Sequence, residues 1–191
     1  MRIVAGRHRG RTIAAPPGRN LRPTADRVRE AIFNVLAHGG GQSGGINAVE
    51  GARVLDGFAG TGAMALEAIS RGAAHATCMD GDRTALDCCR ANVRVLGEEG
   101  NVTVLRGDCT RPVRADTPCS LVFLDPPYGS GMAAEALTAL ADSGWIADGA
   151  VCVVEIAAKE PFTPPAGAIV LDERRYGAAR VVFVRWNGPE D

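Results

Sequence analysis

From residue 51 onward, the hydrophobic pattern alternates between short apolar runs and stretches with helical spacing. Runs such as "SLVFL" (120–124) and "AVCVV" (150–154) are apolar at consecutive positions, which is typical of strands covered by helices on both faces. The pattern predicts strands near 52–56, 75–80, 102–106, 119–124 and 150–155, and helices near 62–70, 83–96 and 132–142. Strands and helices in this order predict an open, doubly wound α/β sheet. The last segments, 168–177 and 179–186, predict an antiparallel pair at one edge.

The first fifty residues follow a different pattern. The stretch "RIVAGRHRGRTIAAP" predicts a hairpin whose strands are residues 3–5 and 11–14. Apolar positions at helical spacing predict a helix over about 25–37, with Thr24 as its N-cap. On that helix, Arg29 is consistent with a solvated polar face. The run "GGGQSGG" predicts a flexible linker. We therefore expect an N-terminal extension (1–38), a linker (39–50) and a core domain (51–191).

Composition limits the class of protein. The chain has 191 residues, of which 46% are hydrophobic and 23% charged, so it is expected to form one globular domain with a small appendage. We expect the protein to be a monomer. No run has the length of a membrane helix, and the N-terminus lacks the apolar core of a secretion signal, so we expect a cytoplasmic protein without a membrane partner. The six cysteines show no zinc-binding spacing, so we expect reduced thiols and no metal site.

The charge is distributed unevenly along the chain. The net charge is −1, but residues 1–24 contain six arginines and no acid. A cationic arm is thus attached to an acidic body, which favours a polyanion as the partner of the arm. An alternative is that these arginines form only a solvated face, since nearly every basic residue of this chain is an arginine.

Each of the first four predicted strands of the core delivers an acid to one rim. Asp56, Asp80, Asp108 and Asp125 stand at or just beyond their carboxyl ends, where open α/β sheets bind ligands. A single acid of this kind commonly caps a helix. Four in succession are harder to explain as caps, so they favour a ligand site.

The loop after the first predicted strand, "DGFAGTGAMA", favours a nucleotide. Its glycines allow a tight turn and a close approach of a ligand to backbone N–H groups. The segment also fits the dinucleotide pattern G-x-G-x-x-A, with Asp80 at the distance expected for a ribose contact. Against a dinucleotide, Asp56 would repel a pyrophosphate, and no separate substrate domain is evident. S-adenosylmethionine (AdoMet) fits better, with Asp80 on its ribose and Asp108 on its adenine amine.

The stretch "FLDPPY" (123–128) predicts a site for an amine. The amine of a nucleobase is a poor nucleophile, and Asp125 together with the carbonyl of Pro126 would accept its hydrogens. The two prolines fix the backbone that carries this carbonyl. Tyr128 offers a ring on which a flipped base stacks, worth about 1–3 kcal/mol; the alternative is an ordinary loop aromatic that packs on the fold.

"DPPY" together with "DGFAGTG" resembles two motifs of class I AdoMet-dependent methyltransferases that act on nitrogen. The stretches "MRIVAGRHRGR", "RPTADRVREAIFNVL" and "RRYG" extend the similarity to the RsmD family, bacterial enzymes that methylate a guanine N2 in 16S ribosomal RNA. The resemblance implies a Rossmann-like methyltransferase domain over 51–191 and an RNA-binding extension over 1–38. The chain departs from the family pattern at Asp80, where the family usually has Glu, and in its linker, which is longer than usual.

The resemblance also implies roles for individual residues. AdoMet would be bound by Asp56, Phe58, Gly60, Thr61, Gly62, Asp80, Asp108 and Cys109. The target base would be bound by Asp125, Pro126 and Tyr128, and the RNA, free or in a small-subunit particle, by Arg7, Arg9 and Arg11. Two other functions stay open: a DNA adenine-N6 methyltransferase, which usually carries a larger recognition region, and a non-catalytic RNA-binding assembly factor.

Overall fold

The computed structural model describes residues 1–15, 23–38 and 47–188. Its elements, in chain order, are α1 (Pro23–His38), β1 (Arg53–Gly57), α2 (Ala63–Ser70), β2 (His75–Asp80), α3 (Arg83–Leu96), β3 (Val102–Arg106), β4 (Cys119–Leu124), α4 (Met132–Asp142), β5 (Ile146–Ala157), β6 (Ala168–Tyr176) and β7 (Ala179–Trp186). In the part of the chain so described, no helix has the length and apolarity needed to cross a membrane. The predicted linker lies mostly outside these residues.

The strands form one seven-stranded sheet in the order β3-β2-β1-β4-β5-β7-β6. Strands β1 to β5 pair in parallel, whereas β7 pairs antiparallel with both β5 and β6. The predicted α/β sheet with an antiparallel edge is therefore confirmed. Strand β5 begins at Ile146, earlier than predicted, because Ile146 pairs with Cys119 before the register of the two strands shifts.

A hydrophobic core covers each face of the sheet. Residues Leu121 and Phe123 of β4 belong to the cluster that packs against α1, α2 and α3, while Val122 and Leu124 belong to the cluster that packs against α4. Successive side chains of a strand point to opposite faces, so both faces of β4 are buried. This explains why the strand is apolar at consecutive positions in the sequence.

The predicted N-terminal hairpin is confirmed in its antiparallel reversal, in which the N–H groups of Ile3 and Ile13 donate to the carbonyls of Arg11 and Met1 at 3.0 Å, but its paired region is shorter than predicted. The segment does double back, but it forms a single bridge, between Arg2 and Thr12. The N–H groups of Val4 and Ala5 donate to the carboxylate of Glu67 at 2.8 and 3.0 Å, so they do not pair with an opposite strand. Helix α1 begins at Pro23, and Thr24 is accordingly its second residue, not its N-cap. Proline at the first position suits a helix because its missing N–H has no partner there anyway.

Glu67 of α2 binds the N-terminal segment (residues 1–15) to the core. Its side chain is 0% exposed, and besides the two N–H groups of Val4 and Ala5 it faces two arginines. Arg71 Nε lies 2.7 Å from one carboxylate oxygen, and Arg29 Nε of α1 lies 3.5 Å from the other. A buried carboxylate is tolerated only when it is paired and hydrogen-bonded in this way. The same residue thus holds the N-terminal segment, α1 and α2 together.

Replacing Glu67 by Gln is expected to lower the free energy of unfolding by about 3–5 kcal/mol, because the buried Arg29 and the partly buried Arg71 lose a shared ion-pair partner. Urea unfolding followed by circular dichroism measures this loss. Asp87→Asn, which breaks an exposed ion pair with Arg90, is the matched control and should cost less than about 1 kcal/mol. Equal losses in the two variants would contradict the anchoring role of Glu67.

Candidate functional site

The strand order places the candidate site between β1 and β4. Strands β2 and β3 lie on one side of β1, and β4 and β5 lie on the other, so the connections run in opposite directions from this point. A crevice opens at the carboxyl ends of the strands at such a switch point. Asp56 and Asp80 lie in the last two residues of β1 and β2, and Asp108 and Asp125 closely follow β3 and β4. The four acids thus lie along the same edge of the sheet.

The loop from β1 to α2 is strained and tightly packed. Phe58 has a φ angle of 59°, the left-handed region that side chains other than glycine seldom adopt. A Cβ on Gly57 would lie 2.7 Å from a methyl carbon of Leu124, and one on Gly62, whose φ is 76°, would lie 2.6 Å from the sulfur of Cys89. Glycine is therefore required at Gly62, and a Cβ on Gly57 would force the side chain of Leu124 to move. Backbone strain such as that of Phe58 is often found at ligand sites.

Asp56 is a buried carboxyl at the floor of this loop. It is 4% exposed, and it accepts a hydrogen bond from the N–H of Ala65 in the first turn of α2 at 3.0 Å. Burial raises the pKa of Asp56 to about 8, and the charges of Asp125 and Asp80 add to the increase while the bond from Ala65 opposes it. A cationic group of a ligand would stabilise the ionised form of this acid.

Asp80 and Asp108 shape the neighbouring loops. Asp80 accepts the N–H of Gly60 on one oxygen and the N–H of Asp82 on the other, both at 2.8 Å. Asp108 accepts the N–H and the hydroxyl of Thr110, and these bonds lower its pKa. Each oxygen of a carboxylate has two lone pairs, so both acids can still accept bonds from a ligand.

Cys109 is a buried thiol next to Asp108. Burial raises its pKa to about 12, so it is protonated at neutral pH. The thiolate is the nucleophilic form of a cysteine, so a thiol with so high a pKa has little nucleophilic character.

Acids of β5 and of the segment that follows it form hydrogen bonds with the loop after β4. Asp125 is exposed and Pro126 is buried, while Tyr128 is 50% exposed and donates its hydroxyl proton to Glu155 Oε1 at 2.8 Å. Beyond the tyrosine, the carboxylate of Glu160 accepts the N–H groups of residues 129 and 131 at 2.8 and 3.2 Å. No local pattern in the sequence indicates the contacts of Glu155 and Glu160, because both contacts join segments far apart in the chain.

A cleft of about 360 Å³ lies between these loops, α1 and the N-terminal segment. Six of the predicted site residues line it: Asp56, Phe58, Gly60, Thr61, Asp125 and Tyr128. The other five predicted cofactor and base residues are not part of its lining: Gly62, Asp80, Asp108, Cys109 and Pro126. The lining also includes Glu155 and Tyr176, the tyrosine of "RRYG".

Arg29 is also part of the lining of the cleft. It is 3% exposed, so the interpretation of Arg29 as a solvated charge is wrong. It donates to Asp26 on its own helix at 2.9 Å and lies next to Glu67. Its ion pairs are what allow an arginine to be buried on this face of α1.

The predicted RNA-binding arginines lie away from the cleft. Arg7 donates twice to Glu98, which follows α3, at 2.9 and 2.7 Å, and the ring of His8 bonds to the same carboxylate. Arg11 donates to the carbonyl of Val95 at 2.6 Å. Arg9 is exposed. The side chains of Arg7 and Arg11 thus already make intramolecular contacts that hold the N-terminal turn (residues 5–10) on α3.

The sequence and the fold both match known methyltransferases. The sequence model of the family described as "Conserved hypothetical protein 95" matches residues 1–185. "Ribosomal RNA small subunit methyltransferase D" of Escherichia coli strain K12 is 40% identical over 156 residues, which cover 81% of this chain and 74% of that protein. "Putative rRNA methyltransferase YlbH" of Bacillus subtilis is 30% identical over 193 residues, or 98% and 100% of the two chains.

A solved structure agrees with these relatives. "Putative methyltransferase yhhF from Escherichia coli" superposes with a TM-score of 0.81 at 35% identity and covers 98% of each chain. The superposition therefore extends over the N-terminal segment as well as the sheet. The chain belongs to the RsmD family of methyltransferases and has the class I methyltransferase fold.

Proposed function

We propose that this protein transfers a methyl group from AdoMet to the exocyclic N2 of a guanine in 16S ribosomal RNA, within a small-subunit particle or an assembly intermediate. The observation that carries the proposal is that one cleft is lined both by Asp56 at the end of β1 and by Asp125 and Tyr128 after β4. A buried acid suited to a cation thus lies near an acid and a ring suited to a nucleobase. Relatives named as small-subunit ribosomal RNA methyltransferases support the choice of RNA.

The cleft suits AdoMet in size and in chemistry. A volume of about 360 Å³ lies in the range of small-molecule sites. Three strand-end carboxylates match the amino group, the ribose hydroxyls and the adenine amine of AdoMet: Asp56 lines the cleft, while Asp80 and Asp108 lie outside its lining along the same edge of the sheet. Asp56 and the loop 57–62 would hold its amino-acid end, Asp80 its ribose and Asp108 its adenine. When bound, AdoMet supplies an electrophilic methyl group on a sulfonium.

The residues after β4 would prepare the amine of the target base. Asp125 and the carbonyl of Pro126 accept its hydrogens, which returns electron density to a nitrogen whose lone pair is otherwise delocalised into the ring. The amine becomes acidic only as the new N–C bond forms, and its proton then passes to a carboxylate oxygen of Asp125. Tyr128 holds the base by stacking, and its bond to Glu155 fixes the ring beforehand.

The N-terminal turn would contact the RNA. Arg9 is exposed there, and the side chain of Arg7 is 48% exposed although it is paired with Glu98. Contacts of arginine with phosphates give affinity that decreases with salt. We place the protein in the cytoplasm as a monomer, with RNA as its macromolecular partner.

Methyl transfer from radiolabelled AdoMet to small subunits that lack their modifications tests the proposal. We expect label in N2-methylguanosine after digestion of the RNA, and a decrease in rate of roughly 100- to 10,000-fold in Asp125→Ala, because the acceptor of the proton is lost. Asp148→Ala, at an exposed acid in the amino half of β5, is the control and should keep the wild-type rate.

The other outcomes of this assay decide against the proposal in different ways. Label in N6-methyladenosine, whether in RNA or in DNA, would keep the mechanism and change the base. An absence of label from RNA, DNA and protein would point to a non-catalytic RNA-binding protein.

The affinity for AdoMet should depend on pH through Asp56. Its pKa of about 8 in the ligand-free protein means that the ionised fraction grows as the pH rises. An ammonium group binds that fraction, so the affinity should increase by up to about tenfold per pH unit. Calorimetric titration between about pH 5.5 and 7.5, where the amino group of the ligand stays charged, measures this increase. Asp56→Asn should bind more weakly with no pH dependence; a pH-dependent affinity in this variant would assign the effect to another group.

Arg9→Ala should weaken RNA binding and lower the slope of log affinity against log salt concentration by about 1, without affecting AdoMet binding or stability. Filter binding to 16S RNA at several salt concentrations measures the slope. Arg114→Ala, at an exposed residue before β4 on the α4 side of the sheet, is the control. Arg7→Ala should also lower the melting temperature, because it removes a partner of the buried Glu98. An unchanged slope in Arg9→Ala would place the RNA elsewhere.

A further inference from the structure

Glu155 lies beside Asp125 in the cleft. Strands β4 and β5 pair in parallel with Phe123 opposite Val153 and Leu124 opposite Val154, so Asp125 and Glu155 take the next position on each chain. Neighbouring strands are about 4.8 Å apart. Since side chains alternate between faces, both acids lie on the face of Phe123 and Val153, and all four residues line the cleft.

One oxygen of the Glu155 carboxylate holds Tyr128 in place. The phenol donates to Oε1 at 2.8 Å, which uses one of about four lone-pair positions of the carboxylate. Burial raises the pKa of Glu155, and the bond from Tyr128 acts in the opposite direction. Two neighbouring acids in a partly buried cleft therefore favour a ligand that brings several N–H donors, which would offset both the burial and the mutual repulsion.

Guanine and adenine differ in the donors and acceptors on the edge that carries their amine. Guanine presents the N1–H donor directly beside the two hydrogens of its N2 amine. Adenine presents the hydrogens of its N6 amine beside N1, which carries a lone pair. A carboxylate next to the amine site would accept from guanine N1–H but would face the lone pair of adenine N1, which is repulsive. A site can reject a wrong substrate by such an unpaired contact.

We propose that Glu155 determines the choice of base by accepting the N1–H of the target guanine while Asp125 accepts from its N2 amine. The inference rests on the proposed function, and it assigns the selection of guanine over adenine to a residue of β5 outside the "DPPY" stretch. Glu155 is then a specificity residue as well as a positioning residue for Tyr128.

Replacing the target guanine by 2-aminopurine tests the role assigned to Glu155. The experiment compares small subunits that carry either guanine or 2-aminopurine at the position that the wild-type protein methylates, placed there by RNA ligation. 2-Aminopurine keeps the N2 amine, but it lacks the O6 carbonyl and its N1 carries a lone pair instead of a hydrogen, so the change caused by Glu155→Gln, described next, isolates the contact at N1. The wild-type protein should methylate the guanine substrate faster by roughly 10- to 100-fold, the effect expected for a hydrogen bond to a charged group.

Glu155→Gln should reduce or reverse this preference. The amide of Gln can donate to the N1 of 2-aminopurine, so the rate on 2-aminopurine should rise relative to that on guanine. The ratio of the two rates is measured on one protein preparation, and it is therefore independent of the fraction of folded protein.

Tyr128→Phe separates specificity from positioning. This variant keeps the ring and the Glu155 carboxylate but removes the bond between them, so it should lower both rates and keep the preference for guanine. Two results would overturn the inference while leaving the proposed function intact: an unchanged ratio in Glu155→Gln, or the same change of ratio in Tyr128→Phe. If the wild-type protein does not methylate guanine at all, the proposed function fails, and the inference fails with it.

Discussion

The parallel pairing of β1 with β2 on one side and with β4 on the other is the constraint on which the site depends. Parallel strands bring all their carboxyl ends to the same edge, and the reversal of strand order at β1 opens a crevice there. Residues more than sixty positions apart, such as Asp56 and Asp125, thereby reach one cleft. The roles of the loops follow from this arrangement: the loop after β1 lies on one side of the crevice, and the loop after β4 lies on the other.

This arrangement places a carboxyl where its charge is costly. Asp56 receives one hydrogen bond from the backbone, and burial raises its pKa to about 8. A fold selected for stability alone would fill such a position with an apolar residue. Unfavourable burial of an ionisable group in a cleft is a mark of functional sites, and here it agrees with the left-handed backbone of Phe58 in the adjoining loop.

Two buried glutamates explain how a strongly basic N-terminal segment becomes part of an acidic protein. Glu67 binds the backbone of Val4 and Ala5, and Glu98 binds the side chains of Arg7 and His8. The segment then contributes Met1 and Ala15 to the wall of the cleft. Contacts with RNA at the N-terminal turn and binding in the cleft would therefore be connected through one packed element.

Much of the architecture could be predicted from the sequence alone. Apolar runs without alternation, helical spacing and the turn residues between them depend on local chemistry, so the strands and helices of the core were located to within a few residues, as was the antiparallel edge. The rim of four acids followed from a general rule about parallel sheets. Family resemblance then supplied an interpretation of "DPPY" that periodicity could not have given.

Only the tertiary structure decided which polar groups meet. The N-terminal strands were predicted from turn chemistry, but their pairing is limited to one bridge, and the carboxylate of Glu67 accepts the N–H groups of Val4 and Ala5. Arg29 has the sequence context of a solvated residue, yet ion pairs bury it beside the cleft. The contact of Tyr128 with Glu155 joins two strand ends that no local pattern relates. Hydrogen bonds and ion pairs between distant segments depend on three-dimensional placement, whereas strands and helices depend mainly on their neighbours in the chain.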